Sequence, residues 1–144
     1  MEIAILALGC FWGPEQKFSK IEGIIRTEVG YCGGNTEMTT YKDVCTGTTN
    51  HAEVVKLEYD EKTITYEDIL EYFFEFHDPT TLNSQGYDFG TQYRSEIFYL
   101  NEKQKKSAKK MIEAENKKLN GKVVTQLSLL KNYCVAEEYH QKYL

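Results

Sequence analysis

No surplus of positive charge, no long hydrophobic run and no closely spaced cysteine pair occurs in these 144 residues, and each absence removes a class of function. Lys and Arg number 17 against 22 Asp and Glu, a net charge of -5. A protein that neutralises a phosphate backbone needs a basic stripe, so this balance argues against nucleic acid. The lysines from Lys103 to Lys118 are interleaved with Glu113 and Glu115 and preceded by Glu102, the pattern of a solvated helix face. The apolar segment Ile3 to Leu8 is far shorter than a bilayer span and no basic residue precedes it, so neither a signal nor a membrane anchor is expected. The four cysteines include no C-x-x-C pair, and only His51, His77 and His140 could join them, so no metal site is expected. Free thiols without a secretory signal suggest a reducing, cytoplasmic setting. Repeats, low-complexity tracts and linkers are missing too, and the length fits one domain over 1–144.

What the chain does have is a single tryptophan placed beside a thiol, in Gly9-Cys10-Phe11-Trp12-Gly13. Glu2 to Leu8 reads as a buried strand, glycines bracket a corner, and Pro14 fits the first turn of a helix. Cys10 then lies just before a helix N-terminus, where unpaired N–H groups favour the thiolate and lower its pKa. Phe11 and Trp12 offer a flat apolar wall for a small alkyl group. The competing reading is a buried thiol and two core aromatics.

Pro14 to Lys20 reads as that helix, with Phe18 and Ile21 inward and Gly23 as its stop. Ile24 to Tyr31 is a strand ending in the turn signal Gly33-Gly34-Asn35. Thr36 to Asn50 reads as a loop with a helical turn near Tyr41 to Cys45. Ala52 to Tyr59 alternates as a strand, and Thr65 with Asp68 forms a capping box for a helix that Asp78-Pro79 ends. A second loop, 78–92, leads to a strand from Arg94 to Leu100. Asn101 opens a long helix to about Leu119, Val123 to Leu130 is a last strand, and Ala136 to Leu144 is a short polar tail. The order strand, helix, strand, strand, helix, strand, helix, strand predicts an α+β fold with a two-layer split βαβ, ferredoxin-like core and a C-terminal extension.

The two loops could meet over Cys10, bringing Tyr41 and His51-Ala52-Glu53 toward Asp88 and Gly90-Thr91-Gln92-Tyr93-Arg94. Glu53 is either a solvent-facing strand-edge carboxylate or, pointing inward, a protonated or paired acid. Tyr41 and Tyr93 can donate hydrogen bonds to an oxygen or simply pack. Asp88 reads as a turn residue with Arg94 as its structural partner. His51 is read as structural, with a Cys–His dyad as its alternative.

Together with Val29-Gly30-Tyr31, Gly33-Gly34, Thr40-Tyr41, the Val44–Thr49 and His51–Val55 runs, Phe76–Thr80, Asn83–Gly86, Gly90–Ser95 and Ala136–Gln141, the cysteine motif resembles peptide methionine sulfoxide reductase of the A type over nearly the whole chain. The resemblance implies that Cys10 attacks the sulfoxide sulfur and is left as a sulfenic acid, that Phe11 and Trp12 cradle the methyl, and that Glu53 protonates the oxygen. It implies hydrogen-bonding roles for Tyr41 and Tyr93, a substrate-orienting role for Asp88, and the S epimer as substrate. Many relatives have a longer tail carrying resolving cysteines, whereas this sequence ends at Leu144. Cys45 reads as structural, and Cys134 is the internal candidate for a resolving thiol. The other route is a one-cysteine cycle in which thioredoxin, or glutaredoxin with glutathione, reduces Cys10 directly, with dithiothreitol serving in vitro. No bound cofactor is implied, and the enzyme is expected as a monomer acting on free or protein-bound methionine sulfoxide. A non-catalytic ferredoxin-like binding module and a cysteine hydrolase or acyltransferase are the alternative classes.

Overall fold

The structure, a computed structural model, describes residues 1–36, 38–47 and 49–143. Thr48 of the Val44–Thr49 motif and Leu144 at the end of the tail lie outside them. Among the described residues, eight strands and four α-helices follow in the order β1 (Glu2–Leu8), α1 (Trp12–Ser19), β2 (Ile24–Cys32), α2 (Tyr41–Cys45), β3 (Ala52–Tyr59), α3 (Tyr66–Glu75), β4 (Ser84–Gln85), β5 (Asp88–Phe89), β6 (Ser95–Tyr99), α4 (Glu102–Lys118), β7 (Gln126–Leu129) and β8 (Cys134–Val135). The fold is mixed α+β. Six strands form one sheet in the order β7-β6-β1-β3-β2-β8, and β4 and β5 form a separate hairpin.

β1 and β3 sit at the centre because their sequences are apolar on both faces. Ala4, Leu6 and Leu8 of β1 join Val55, Leu57 and Tyr59 of β3 on the face where Phe18 of α1, Ile69, Leu70 and Phe73 of α3 and Ala108 of α4 pack. Ile5, Ala7, Ala52 and Val54 point the other way, onto Phe98, Leu130 and Tyr133. The period of two therefore puts Glu53 on the same face as Val55 and Leu57. In register, Glu53 faces Tyr31 of β2.

Local capping sets the helix starts where the sequence places them. Thr65 accepts the Asp68 N–H at 3.0 Å while Asp68 accepts the Thr65 N–H at 3.2 Å. Asn101 accepts the Gln104 N–H at 2.9 Å to open α4. Thr65→Ala is expected to destabilise the protein by about 1 kcal/mol, read as a lower urea midpoint at unchanged slope.

Four elements differ from the sequence reading. α1 begins two residues earlier than Pro14, with Phe11 as its N-cap. The last strand is only Gln126–Leu129, parallel to β6, because the Val123 and Val124 N–H groups go to Asn116 Oδ1 and Pro79 O instead. The 78–92 loop contains the β4–β5 hairpin and a 3-10 turn over Thr91–Tyr93. The tail is more ordered than its polarity suggests. β8 pairs with β2, Gln141 bonds both the Val29 N–H and the Val29 carbonyl at 2.9 Å, and the Lys142 N–H reaches Glu15 at 2.7 Å.

Candidate active site

Cys10 lies beyond the end of β1, two residues past Leu8 and one before the N-cap of α1. Gly9 makes that corner possible: its φ of 90° is left-handed, and a Cβ there would meet Gln85 Cγ at 2.6 Å. The β4–β5 hairpin thus closes directly onto the corner. Turning the chain here aims the Phe11 N–H at Glu53 Oε1, 3.3 Å away.

Glu53 is 1% exposed, and its Oε2 has no hydrogen-bond partner among the described residues. Burial pushes its pKa up to about 8, helped by the charge of Asp88 and opposed by the Phe11 N–H. An inward carboxyl without a countercharge holds its proton at neutral pH, so the strand-edge reading is set aside.

The thiol departs from its expectation. Cys10 is half-buried, and its pKa is raised to about 11, first by desolvation and then by the charges of Glu53, Asp88 and Cys45. The helix N-terminus does act, through the Trp12 N–H, which lowers the value. Burial outweighs it, so a depressed thiol pKa is not what the fold produces.

Both loops meet at the site as expected. The Tyr41 phenol is held protonated first by burial and then by Cys45, one helical turn along α2, and by Tyr93 from the second loop. Tyr93 is pushed up to about 12 by burial and by Glu53. Asp88 is exposed on β5, yet its charge reaches Cys10, Glu53 and Tyr93. Arg94 does not pair with Asp88. It is buried against Glu96 at 2.6 Å and also bonds the Thr91 and Asn50 carbonyls, a structural knot below the site.

The aromatic wall is completed by the tail, which reads in the sequence as a short polar segment carrying the Ala136–Gln141 motif. Trp12 Nε1 donates to His140 Nδ1 at 3.1 Å, and Tyr143 stacks on the indole with centroids 4.0 Å apart. The buried His140 ring also contacts Phe11 at 5.3 Å and Tyr41 at 4.5 Å. Glu137 accepts from Tyr31 Oη at 2.8 Å and from the Tyr41 N–H at 2.9 Å, tying the tail to the start of α2. A tail whose His140, Tyr139 and Tyr143 interrupt an otherwise polar run was the available signal.

His51 lies elsewhere in function. Its ring accepts the Gly34 N–H at 3.2 Å and faces the Thr36 carbonyl at 2.8 Å, holding the turn after β2. The remaining thiols divide by exposure: Cys32 and Cys134 are buried, whereas Cys45 is exposed. Cys134 Sγ lies 3.7 Å from the Thr39 carbonyl.

A mixed α+β fold that sets a thiol, a protonated carboxyl and an aromatic wall together at the end of its central sheet has the parts of an enzyme active site. The chain belongs to the peptide methionine sulfoxide reductase family, whose profile matches residues 2–144, and it is an A-type enzyme that reduces methionine sulfoxide. Peptide methionine sulfoxide reductase MsrA of Pelagibacter ubique is 71% identical over 144 residues, covering 100% of this chain and 98% of that protein. The crystal structure of Mxr1 from Saccharomyces cerevisiae in reduced form matches with a TM-score of 0.94 at 41% identity, covering 99% of this chain and 83% of that one. Mxr1 in complex with Trx2 matches with a TM-score of 0.70 at 28% identity, over 99% of this chain and 84% of that one.

Proposed function

We propose that Cys10 is the nucleophile and Glu53 the acid in the reduction of methionine S-sulfoxide. The observation that carries this reading is the buried Glu53 carboxyl, one oxygen held by the Phe11 N–H and the other unpartnered, acting electrostatically on a half-buried thiol. The Cys10 sulfur attacks the sulfoxide sulfur, Glu53 gives its proton to the sulfoxide oxygen, and the S–O bond breaks. The oxygen departs as hydroxide carrying the Glu53 proton and attacks the Cys10 sulfur, the transient S–S bond breaks toward the substrate sulfur, and methionine leaves with Cys10 as a sulfenic acid. The proton lost by the thiol restores Glu53, so the net transfer is one oxygen atom and two electrons. A thiol held protonated at rest suits this balance.

Tyr41 and Tyr93 are proposed as donors to the same oxygen, their phenols kept protonated by burial. Asp88 favours the protonated forms of Cys10 and Glu53 and orients the substrate from the hairpin. Phe11 and Trp12 hold the methyl, with Trp12 braced by His140 and Tyr143. Trp12→Ala is expected to lower kcat/KM about 10- to 100-fold, the worth of one large apolar contact, with KM rising more than kcat falls.

The strand order β6-β1-β3-β2, antiparallel throughout and joined by α1 and α3, supports a split βαβ, ferredoxin-like core within one catalytic domain. Four free thiols support a reducing, cytoplasmic setting. The Trx2 complex of the yeast relative supports a thioredoxin-type dithiol as reductant. Reduction driven by dithiothreitol, measured as methionine released from each epimer, tests the reading. Release is expected from the S epimer alone, and equal rates on both would overturn a site that reads methyl, oxygen and lone pair in fixed places.

A further inference from the structure

Glu53 follows one of the two loops that meet at the site and Tyr93 ends the 3-10 turn of the other, and a single side chain is bonded to both pieces of chain. Arg94 is 6% exposed, and three of its nitrogens donate. Nη2 bonds the Asn50 carbonyl at 3.0 Å, just before β3 carries the chain to Glu53. Nη1 bonds the Thr91 carbonyl at 2.8 Å, at the start of the turn that ends in Tyr93. Nε bonds Glu96 Oε1 at 2.6 Å. The Thr91 carbonyl also accepts the Arg94 N–H at 3.3 Å, so side chain and main chain close the same turn. A third turn packs on the guanidinium, since a Cβ at Gly33, just past β2, would meet Phe98 Cε1 at 2.7 Å and Arg94 Nη2 at 3.1 Å.

Stability alone does not account for an ion pair in this place. Removing both charges from water costs about as much as their attraction returns, and an apolar pair of similar volume would hold the strands as well. What an apolar pair cannot do is fix two carbonyls with one rigid, planar fork. Glu96 holds that fork to β6 and is itself held by the Ser128 hydroxyl of β7, so the position of the sheet is passed to both loops. The guanidinium faces away from the reacting groups. Glu96 stands opposite Ala7 and lies with Phe98 on the face of Ile5 and Val54, whereas Glu53 shares the other face with Val55 and Leu57.

We propose that Arg94 is a positioning residue for the reduction step: its fork sets the spacing between the Tyr93 phenol and the Glu53 carboxyl, so that both meet one sulfoxide oxygen. The proposal rests on the roles inferred above for those two groups. Arg94 acts through the main chain and gives the reaction neither a proton nor a contact to substrate. A displacement of about 1 Å at a reacting group can cost about 10²-fold in rate, and that is the scale on which the fork acts.

Single turnovers of reduced enzyme, followed as methionine formed against the concentration of methionine S-sulfoxide, give the rate of the reduction step and its half-saturating concentration. Arg94→Lys keeps the charge that Glu96 needs and loses the fork. It is expected to lower the rate about 10- to 100-fold while the half-saturating concentration stays within about threefold, because the methyl wall is untouched. Ser128→Ala weakens the same ion pair from its far side and leaves both carbonyl bonds in place, so it should lower the urea midpoint and keep the wild-type rate. Arg94→Lys combined with Tyr93→Phe should lie within about twofold of Arg94→Lys alone, whereas independent losses would multiply. All variants are assayed where urea unfolding shows them folded; if Arg94→Lys is not, Arg94→Met with Glu96→Leu removes the pair without leaving a charge buried alone and carries the same expectations. A folded fork variant with the wild-type rate, losses that multiply, an equal loss in Ser128→Ala, or failure of both fork variants to fold would overturn the positioning role. Tyr93→Phe as fast as the wild type would instead overturn the role of Tyr93 beneath it.

Discussion

Cys10→Ser is expected to end methionine sulfoxide reduction, lowering turnover with dithiothreitol by at least about 10³-fold. A hydroxyl oxygen cannot accept the sulfoxide oxygen, so no sulfenic acid forms. The other three thiols do not substitute, because the site is assembled around the corner at Gly9 and the Phe11 N–H rather than around sulfur as such. Serine is smaller than cysteine by little and the position is half-buried, so the unfolding midpoint should hardly move. Methionine release that survives the substitution would remove the sulfur-to-sulfur step and leave a binding module or another nucleophile.

Glu53→Gln should separate activity from stability. Removing a positioned general acid typically costs 10²- to 10⁴-fold, and glutamine keeps the oxygen that accepts the Phe11 N–H, so turnover should fall by about that factor with the fold intact. The wild-type rate should decline as pH rises through about 8, where Glu53 loses its proton, and the variant should lack that limb. Stability carries the same signature. The Glu53 pKa is raised in the folded state from an ordinary 4.5 to about 8, so between those values the native protein binds a proton that the unfolded chain has released. Its stabilising contribution is complete below about pH 4.5 and is lost at about 1.4 kcal/mol per pH unit as pH rises toward 8, which amounts to about 3 kcal/mol by pH 7. The stability difference between Glu53→Gln and wild type should therefore shift in favour of the variant as pH rises from 5 to 8. Parallel stability curves for the two proteins would mean that Glu53 is not held protonated by the fold.

Much of this arrangement is legible along the chain because it is local. The capping box at Thr65 and Asp68, the Asn101 cap and the alternation through β3 each depend on residues within a few positions, and each lies where the sequence puts it. Alternation even assigns Glu53 to the face of Val55 and Leu57, although not how deeply that face is covered. The tail is the contrary case. Glu137, His140 and Gln141 look like solvated polar residues until Tyr31, Trp12 and Val29, all more than 100 positions earlier, turn out to be their partners.

The amino-acid pattern by itself determined the order of the longer strands and helices, though not the β4–β5 hairpin or β8, together with the corner that carries Cys10, the aromatic pair beside it and the two loops that hold Tyr41, Tyr93 and Asp88. Only the tertiary structure decided which way the two key protons lie. Desolvation depends on everything packed around a group, not on its neighbours in sequence, so burial overrides the helix N-terminus at Cys10 and keeps Glu53 an acid. The same physics sorts the remaining thiols, since exposure and strand pairing are properties of the packed sheet: Cys134 is buried on the strand paired with β2, and Cys45 is exposed at the end of α2.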